Sequence, residues 1–201
     1  MIRIAALASH GGTVVQAVMD ACEQGAIDAR VVLVISNNSG SGALARARTH
    51  GVPTLHLSSA THPDPTALDH AICSAFAAAE ADWVLLAGYM KKLGPLTLAR
   101  YAGRIINTHP SLLPKYGGHG FYGRLVHEAV LAAGDAVTGA TVHLVEAEYD
   151  TGPVLAQAQV PVQADDTVDA LEDRVKRAER QLLITTLGAL AADSKPASNP
   201  I

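Results

Sequence analysis

The chain has 201 residues, 49% of them hydrophobic and 17% charged, with a formal net charge of −4 at pH 7. That is enough apolar material for one good-sized core and too apolar a composition for a disordered polymer. The negative balance leaves no broad basic face, which argues against nucleic acid or an anionic membrane surface as a partner.

No apolar run is long enough to span a bilayer, and Met1 leads directly into a strand with no leader pattern. Two cysteines, Cys22 and Cys73, lie inside apolar helical patterns and read as reduced core thiols, so the expected compartment is the cytoplasm. Residues 2–8 read as a buried strand. Ser9-His10-Gly11-Gly12-Thr13 then turns into a helix over 14–22, the entry to a phosphate- or nucleotide-binding α/β unit. A second strand, 30–35, is nearly all β-branched, as a strand buried on both faces should be. A helix over 43–50 stops at Gly51, and 53–57 is a third strand. Helix 67–79 leads to strand 83–87, with Gly88-Tyr89-Met90-Lys91-Lys92-Leu93 at its end. Helix 95–101 precedes strand 105–109.

After that strand, four glycines between 116 and 123 make a loop that is costly to order and reads as a lid. Helix 125–133, strand 138–145, an acidic turn over 146–152 and strand 153–160 follow. The short link between the last two strands predicts an antiparallel hairpin. A long helix runs to about 190, and the chain from 191 reads as a disordered tail. This rhythm predicts one domain over 1–190 with a Rossmann-like α/β fold. It would be a mostly parallel twisted sheet with helices on both faces and an antiparallel hairpin near the C-terminus. In such sheets ligands bind beyond the carboxyl ends of the strands, where the loops at 9–13, 88–93 and 107–116 should gather.

The central stretch is Asn107-Thr108-His109-Pro110-Ser111-Leu112-Leu113-Pro114. Asn107 and His109 are two apart, so in extended chain their side chains share a face. An amide donor beside an imidazole is what acyl transfer uses: the amide for a developing oxyanion, the imidazole for a proton near neutral pH. The same residues also suit a plain proline turn, and residues further along decide between the two. No Gly-x-Ser-x-Gly elbow is present and neither cysteine has a nucleophile's setting. The nine histidines lack metal-ligand spacing, and His127 and His143 read as packed helix and strand residues. Asp150, in Asp150-Thr151-Gly152-Pro153, would orient His109 if the hairpin returned it to the same edge.

With those residues in view, the chain resembles the folate-dependent formyltransferases, and within them the enzymes that act on glycinamide ribonucleotide. The paired Asn-x-His-Pro-Ser-Leu-Leu-Pro and Asp-x-Gly-Pro motifs carry the resemblance. It is extended by Ser36-Asn37, Leu86-Ala87-Gly88-Tyr89-Met90 and Thr138-Gly139-Ala140-Thr141-Val142-His143, and it covers roughly residues 1–190. It implies 10-formyltetrahydrofolate as co-substrate, glycinamide ribonucleotide as acceptor and purine synthesis as the setting, with no metal, in a monomer or homodimer. It also implies a division of labour, with phosphate and substrate on the N-terminal half and folate and catalysis on the C-terminal half. Asn107 would hold the oxyanion, His109 would assist and move the proton, and Asp150 would position His109 and a shuttling water. The pterin would lie against Met90, Lys91, Lys92 and Leu93, with Asn107, Val145 and Asp150 also on the folate side. Gly12, Thr13 and Val14 would take the substrate phosphate, with Gly88 lining the acceptor site, and Glu179 would hold its ribose. The Leu113–Pro114 bond is expected to be cis.

One departure bears on the acceptor. Where the family's phosphate loop usually reads Ser-Gly-x-Gly-Ser/Thr-Asn, this chain has His10 in place of a glycine and Val14 in place of the asparagine. Valine offers no side-chain donor, so the phosphate would rest on backbone N–H groups, the Thr13 hydroxyl and a cation, for which Lys176, one helical turn from Glu179, is the candidate. A sugar-nucleotide formyltransferase is the nearest alternative. A methionyl-tRNA formyltransferase would carry a further nucleic-acid-binding domain, and a formyltetrahydrofolate hydrolase an extra N-terminal one. A non-catalytic nucleotide-binding Rossmann module is the alternative of another class.

Overall fold

The computed structural model describes residues 1–194. The single domain expected over 1–190 is organised as two compact units: residues 1–97 together with the chain from Ile184, and Leu98–Leu183. The first unit holds β1 (Ile2–Ala8), α1 (Thr13–Glu23), β2 (Ala29–Ser36), α2 (Gly42–Thr49), β3 (Thr54–His56), α3 (Pro65–Ala78) and β4 (Trp83–Leu86). Its strands lie in the order β3-β2-β1-β4, all parallel. β1 and β2 are buried along almost their whole length, which is why their sequences are continuous aliphatic runs and not alternating ones.

The helices of this unit begin where their sequences supply caps. Asp64 accepts from the N–H groups of Thr66 and Ala67, with Pro65 at the first helical position. Ser41 caps α2 through Leu44 N–H. Asp69, buried within α3, accepts from the N–H groups of Leu96 and Thr97, where α4 (Pro95–Arg100) begins. The start of α1 differs: Gly12 occupies the N-cap at φ 71°, and no side chain caps the helix.

The second unit holds β5 (Ile105–His109), α5 (Arg124–Ala132), β6 (Val137–Leu144), β7 (Val154–Pro161) and the first turns of α6 (Val168–Asp193). β6 pairs antiparallel with β7, as the short connection predicted, and β5 also pairs antiparallel with β6. Its core sits on one side of β6. Val126 and Val130 of α5, a turn apart, meet Ala140 and Val160 of the hairpin and Leu171 and Val175 of α6. The seven strands therefore make the expected mixed α/β sheet, parallel through β1–β4 and antiparallel through β5–β7.

Two boundaries move. α6 continues to Asp193 because Leu183, Leu187 and Ala191 recur every fourth residue and are all buried. The tail expected from 191 is therefore helical at its start, and residues 195–201 lie outside the described residues. Cys73 is buried, whereas Cys22 near the end of α1 is only half-buried, so one of the two expected core thiols is not in the core. Among the described residues no helix is long and apolar enough to cross a membrane.

Candidate active site

The chemistry in the second unit is built by strand register. β5 lays Asn107 opposite His143 of β6, and His109 opposite Thr141. Asn107 and His109 share a face by alternation, and His143 and Thr141 leave β6 on that face. Thr108, between them, points to the other side and donates to Glu179 of α6 in a very short hydrogen bond.

Beyond His109 the chain turns sharply, with a cis bond at Leu113–Pro114. Thr141 fixes that turn: its hydroxyl donates to the Ser111 carbonyl at 2.7 Å and accepts from Leu113 N–H at 3.1 Å. The turn brings the Tyr116 carbonyl to 2.7 Å from His109 Nε2. A carbonyl only accepts, so Nε2 carries the proton, and the neutral ring keeps its lone pair at Nδ1. Nδ1 in turn lies 3.5 Å from Asp150 Oδ2.

Asp150 reaches this point through the Asp-x-Gly-Pro turn. Gly152 is required there because a Cβ would stand 1.9 Å from the Leu144 carbonyl oxygen. Asp150 itself has φ 56° and Tyr116 also has φ 56°, two left-handed non-glycine residues facing each other across the site. Gly118 N–H donates to Asp150 Oδ2 at 2.9 Å. The glycine-rich loop expected to act as a lid is thus anchored at its base to two of the three proposed catalytic residues.

His109 and Asp150 are largely buried, with side chains 5% and 10% exposed. Burial pushes the His109 ring below its ordinary pKa, and Asp150 and the Tyr116 carbonyl only partly restore it. Burial likewise works to raise Asp150, but the His109 ring and the Gly118 N–H, which donates to Oδ2, hold its carboxyl below the usual carboxylate range. The arrangement is a neutral imidazole with a free lone pair, a carboxylate placed to stabilise the cation that protonation would make, and an amide two residues away. Such a set is chemically suited to binding an oxyanion and moving a proton, and it contains no nucleophile for a covalent intermediate.

On α6, burial raises the pKa of Glu179 despite the Thr108 bond. Lys176 is half-exposed and pairs with Glu172 at 2.6 Å. Val145, expected on the folate side, follows β6, and its N–H donates to the Ile105 carbonyl.

In the first unit the strand order reverses beside β1, so the loops after β1 and β4 flank a switch point, where such sheets bind ligands. Ser9, absent from the residues singled out in the sequence, ties them together. Its buried hydroxyl donates to Asn37 Oδ1 at 2.6 Å and accepts from Met90 N–H at 2.9 Å, and its N–H reaches the Gly88 carbonyl. The loop of Gly12, Thr13 and Val14 and the segment of Gly88, Met90, Lys91, Lys92 and Leu93 are therefore neighbours. His50 also proves to have partners that its sequence setting did not show: Glu23 on one ring nitrogen and Gln16 on the other, between α1 and α2.

His143, read from the sequence as a packed strand residue, is packed as expected but also has partners in the site. It is 2% exposed and lies against both Asn107 and Asp150. Its signal is the β5–β6 register, which no local pattern displays.

The family described as formyl transferase matches residues 2–187. A phosphoribosylglycinamide formyltransferase from Mycobacterium tuberculosis is 45% identical over 190 residues, covering 94% of this chain and 85% of the relative. A chloroplastic enzyme of the same name from Arabidopsis thaliana is 36% identical; the match covers 95% of this chain but only 66% of that protein. The crystal structure of a glycinamide ribonucleotide transformylase from Symbiobacterium toebii superposes with a TM-score of 0.89 at 39% identity, covering 96% of this chain and 89% of that one.

Proposed function

The chain belongs to the formyl transferase family, whose reaction draws on a folate-derived co-substrate, and from that premise we propose that it transfers the formyl group of 10-formyltetrahydrofolate to the amine of glycinamide ribonucleotide, in purine synthesis in the cytoplasm. The observation that carries this reading is the set of Asn107, His109 and Asp150 on β5 and the adjoining hairpin turn, with His109 buried and the other two partly so. Relatives 36–45% identical over nearly the whole chain bear the name of that activity.

The acceptor amine attacks the formyl carbon, forming a C–N bond. The formyl oxygen becomes an oxyanion that takes a hydrogen bond from the Asn107 amide, with His109 beside it. Nδ1 of His109, the nitrogen left unprotonated by the Tyr116 carbonyl, receives the amine proton directly or through a water. Asp150 stabilises the imidazolium. The proton then passes to N10 of the folate as the bond from N10 to the formyl carbon breaks, so atoms and charge balance without any covalent enzyme intermediate.

The same reading assigns the pterin to Met90, Lys91, Lys92, Leu93, Val145 and the Asp150 turn. The phosphate goes to the uncapped start of α1 at Gly12, Thr13 and Val14, where free N–H groups favour an anion. Gly88 lines the acceptor site, Lys176 supplies positive charge, and Glu179, with one oxygen held by Thr108, offers the other to the ribose. The test is formyl transfer from 10-formyltetrahydrofolate, assayed with glycinamide ribonucleotide, with its dephosphorylated ribonucleoside and with amino-sugar nucleotides. Preference for the ribonucleotide over both is expected. Equal use of ribonucleotide and ribonucleoside removes the phosphate assignment, and preference for an amino-sugar nucleotide replaces the acceptor.

A further inference from the structure

A side-chain amide can serve an oxyanion only if its nitrogen faces the oxyanion. Its two ends are nearly the same size, and rotation about the last torsion is broad and close to two-fold. Something must therefore distinguish the two ends of Asn107, and its cross-strand partner does so. His143 Nδ1 lies 2.8 Å from the Leu144 carbonyl oxygen, which only accepts, so Nδ1 bears the ring proton. The neutral ring then has its lone pair at Nε2, 3.1 Å from Asn107 Nδ2. A lone pair accepts from the amide nitrogen and repels the amide oxygen. Asp150 Oδ1, at 3.5 Å from the same Nε2, is beyond a good hydrogen bond and does not displace Asn107. With His143 only 2% exposed, water does not compete for the lone pair either.

We propose that His143 is the positioning residue for Asn107. It takes one hydrogen of the Nδ2 group and so fixes the amide with its second hydrogen available to the formyl oxygen. The role rests on the formyl-transfer reading above. It acts wholly through Asn107, since His143 itself need touch neither substrate. Without it, the amide is free to turn its oxygen toward the developing negative charge.

Glutamine and asparagine separate this role from simple packing. The Oε1 of a glutamine reaches about as far as Nε2 and can accept the same hydrogen, whereas an asparagine reaches only to the Nδ1 position. His143→Gln is expected to keep most of the parent kcat. His143→Asn and His143→Ala are expected to lose on the order of 10- to 100-fold in kcat, with KM for both substrates unchanged. In an Asn107→Ala background the same substitutions should cost nothing further. A loss in His143→Gln as large as in His143→Ala overturns the proposal, as does an equal loss in both backgrounds, which is the mark of a packing role. The side-chain amide of Asn107, followed by ¹⁵N NMR, reads the same contact without any acceptor. The Nδ2 proton bound to residue 143 should be displaced from the free-amide position in the parent and in His143→Gln, and should return toward that position in His143→Asn; slow rotation about the C–N bond keeps the two protons separate in every case. Unchanged amide signals in His143→Asn also overturn it. The parent's turnover with glycinamide ribonucleotide tests the acceptor reading alone, so failure of that reading leaves the NMR arm to judge this one.

Discussion

The two regions to which ligands are assigned above are built by different means. In the second unit, β5 and β6 present an amide and two imidazoles at a fixed register and the turn after β6 adds a carboxylate, each held by a named partner. In the first unit one buried hydroxyl, that of Ser9, joins the loops after β1 and β4, and the start of α1 offers backbone N–H groups with no side-chain cap. The difference is one of vulnerability. A site made of side chains fails when one of them is replaced, whereas a site made of backbone N–H groups tolerates sequence change as long as the turn keeps its shape. On the proposed assignment, it accounts for His10 and Val14 standing in the loop given to the phosphate while the motif on β5 keeps the full family pattern.

The sharpest test of that contrast is in β5. Asn107→Ala and His109→Ala should each cost on the order of 100-fold or more in turnover, as loss of an oxyanion donor typically does, with the fold intact by circular dichroism. Near-normal turnover in either variant would show that the side-chain site is not the reacting one. Asp150→Asn should cost less, about 10- to 100-fold, because it acts through His109. Its pH profile carries a sign. Asp150 raises the His109 pKa against burial, so without the carboxylate the acid limb of kcat should move to lower pH. A shift to higher pH, or a collapse of the melting temperature with normal turnover, would make Asp150 a turn residue only.

Smaller effects are expected where backbone dominates. Ser9→Ala should lower stability by about 1–3 kcal/mol, the cost of leaving the Met90 N–H and Asn37 without their partner. It should raise KM for the folate and leave kcat nearly unchanged; a kcat collapse in this variant would erase the contrast. Lys176→Ala should be milder still, a few-fold rise in KM for the ribonucleotide alone. The lysine is half-exposed and already paired with Glu172, and exposed pairs are worth little.

Stability should also report burial. His109 and His127 both have pKa values lowered chiefly by burial. The unfolded chain therefore takes up protons near pH 6.5 that the folded one refuses, and stability present above that pH is lost as it falls. Melts at about pH 7.5 and about pH 5.5 should show the drop, and His127→Gln should reduce it.

What the sequence displayed follows the same division. Asn107 and His109 were legible because two residues in one strand share a face by geometry alone, and Asp150 because Asp-x-Gly-Pro marks a turn that only glycine permits. The element order was legible from aliphatic runs, proline starts and glycine stops. His143 and Ser9 were not, because their roles exist only across a strand pair or between two loops, and pairing register leaves no mark within either segment. The extra helical residues after Leu190, Ala191–Asp193, were hidden by the small and polar residues around them, although Ala191 continues the buried repeat of Leu183 and Leu187.

The alternation along β5 has a consequence for how such an enzyme can change. Asn107 and His109 look one way, while Thr108 looks the other and grips Glu179 on α6. On the roles proposed above, reaction and recognition fall on opposite sides of a single strand, in residues that do not compete for space. A lineage selected for a new acceptor can rewrite the helix side without disturbing the side where the formyl group moves. In directed evolution toward another amine, accepted substitutions should gather at Lys176, Glu179 and their neighbours on α6, and β5 should pass through the selection unaltered.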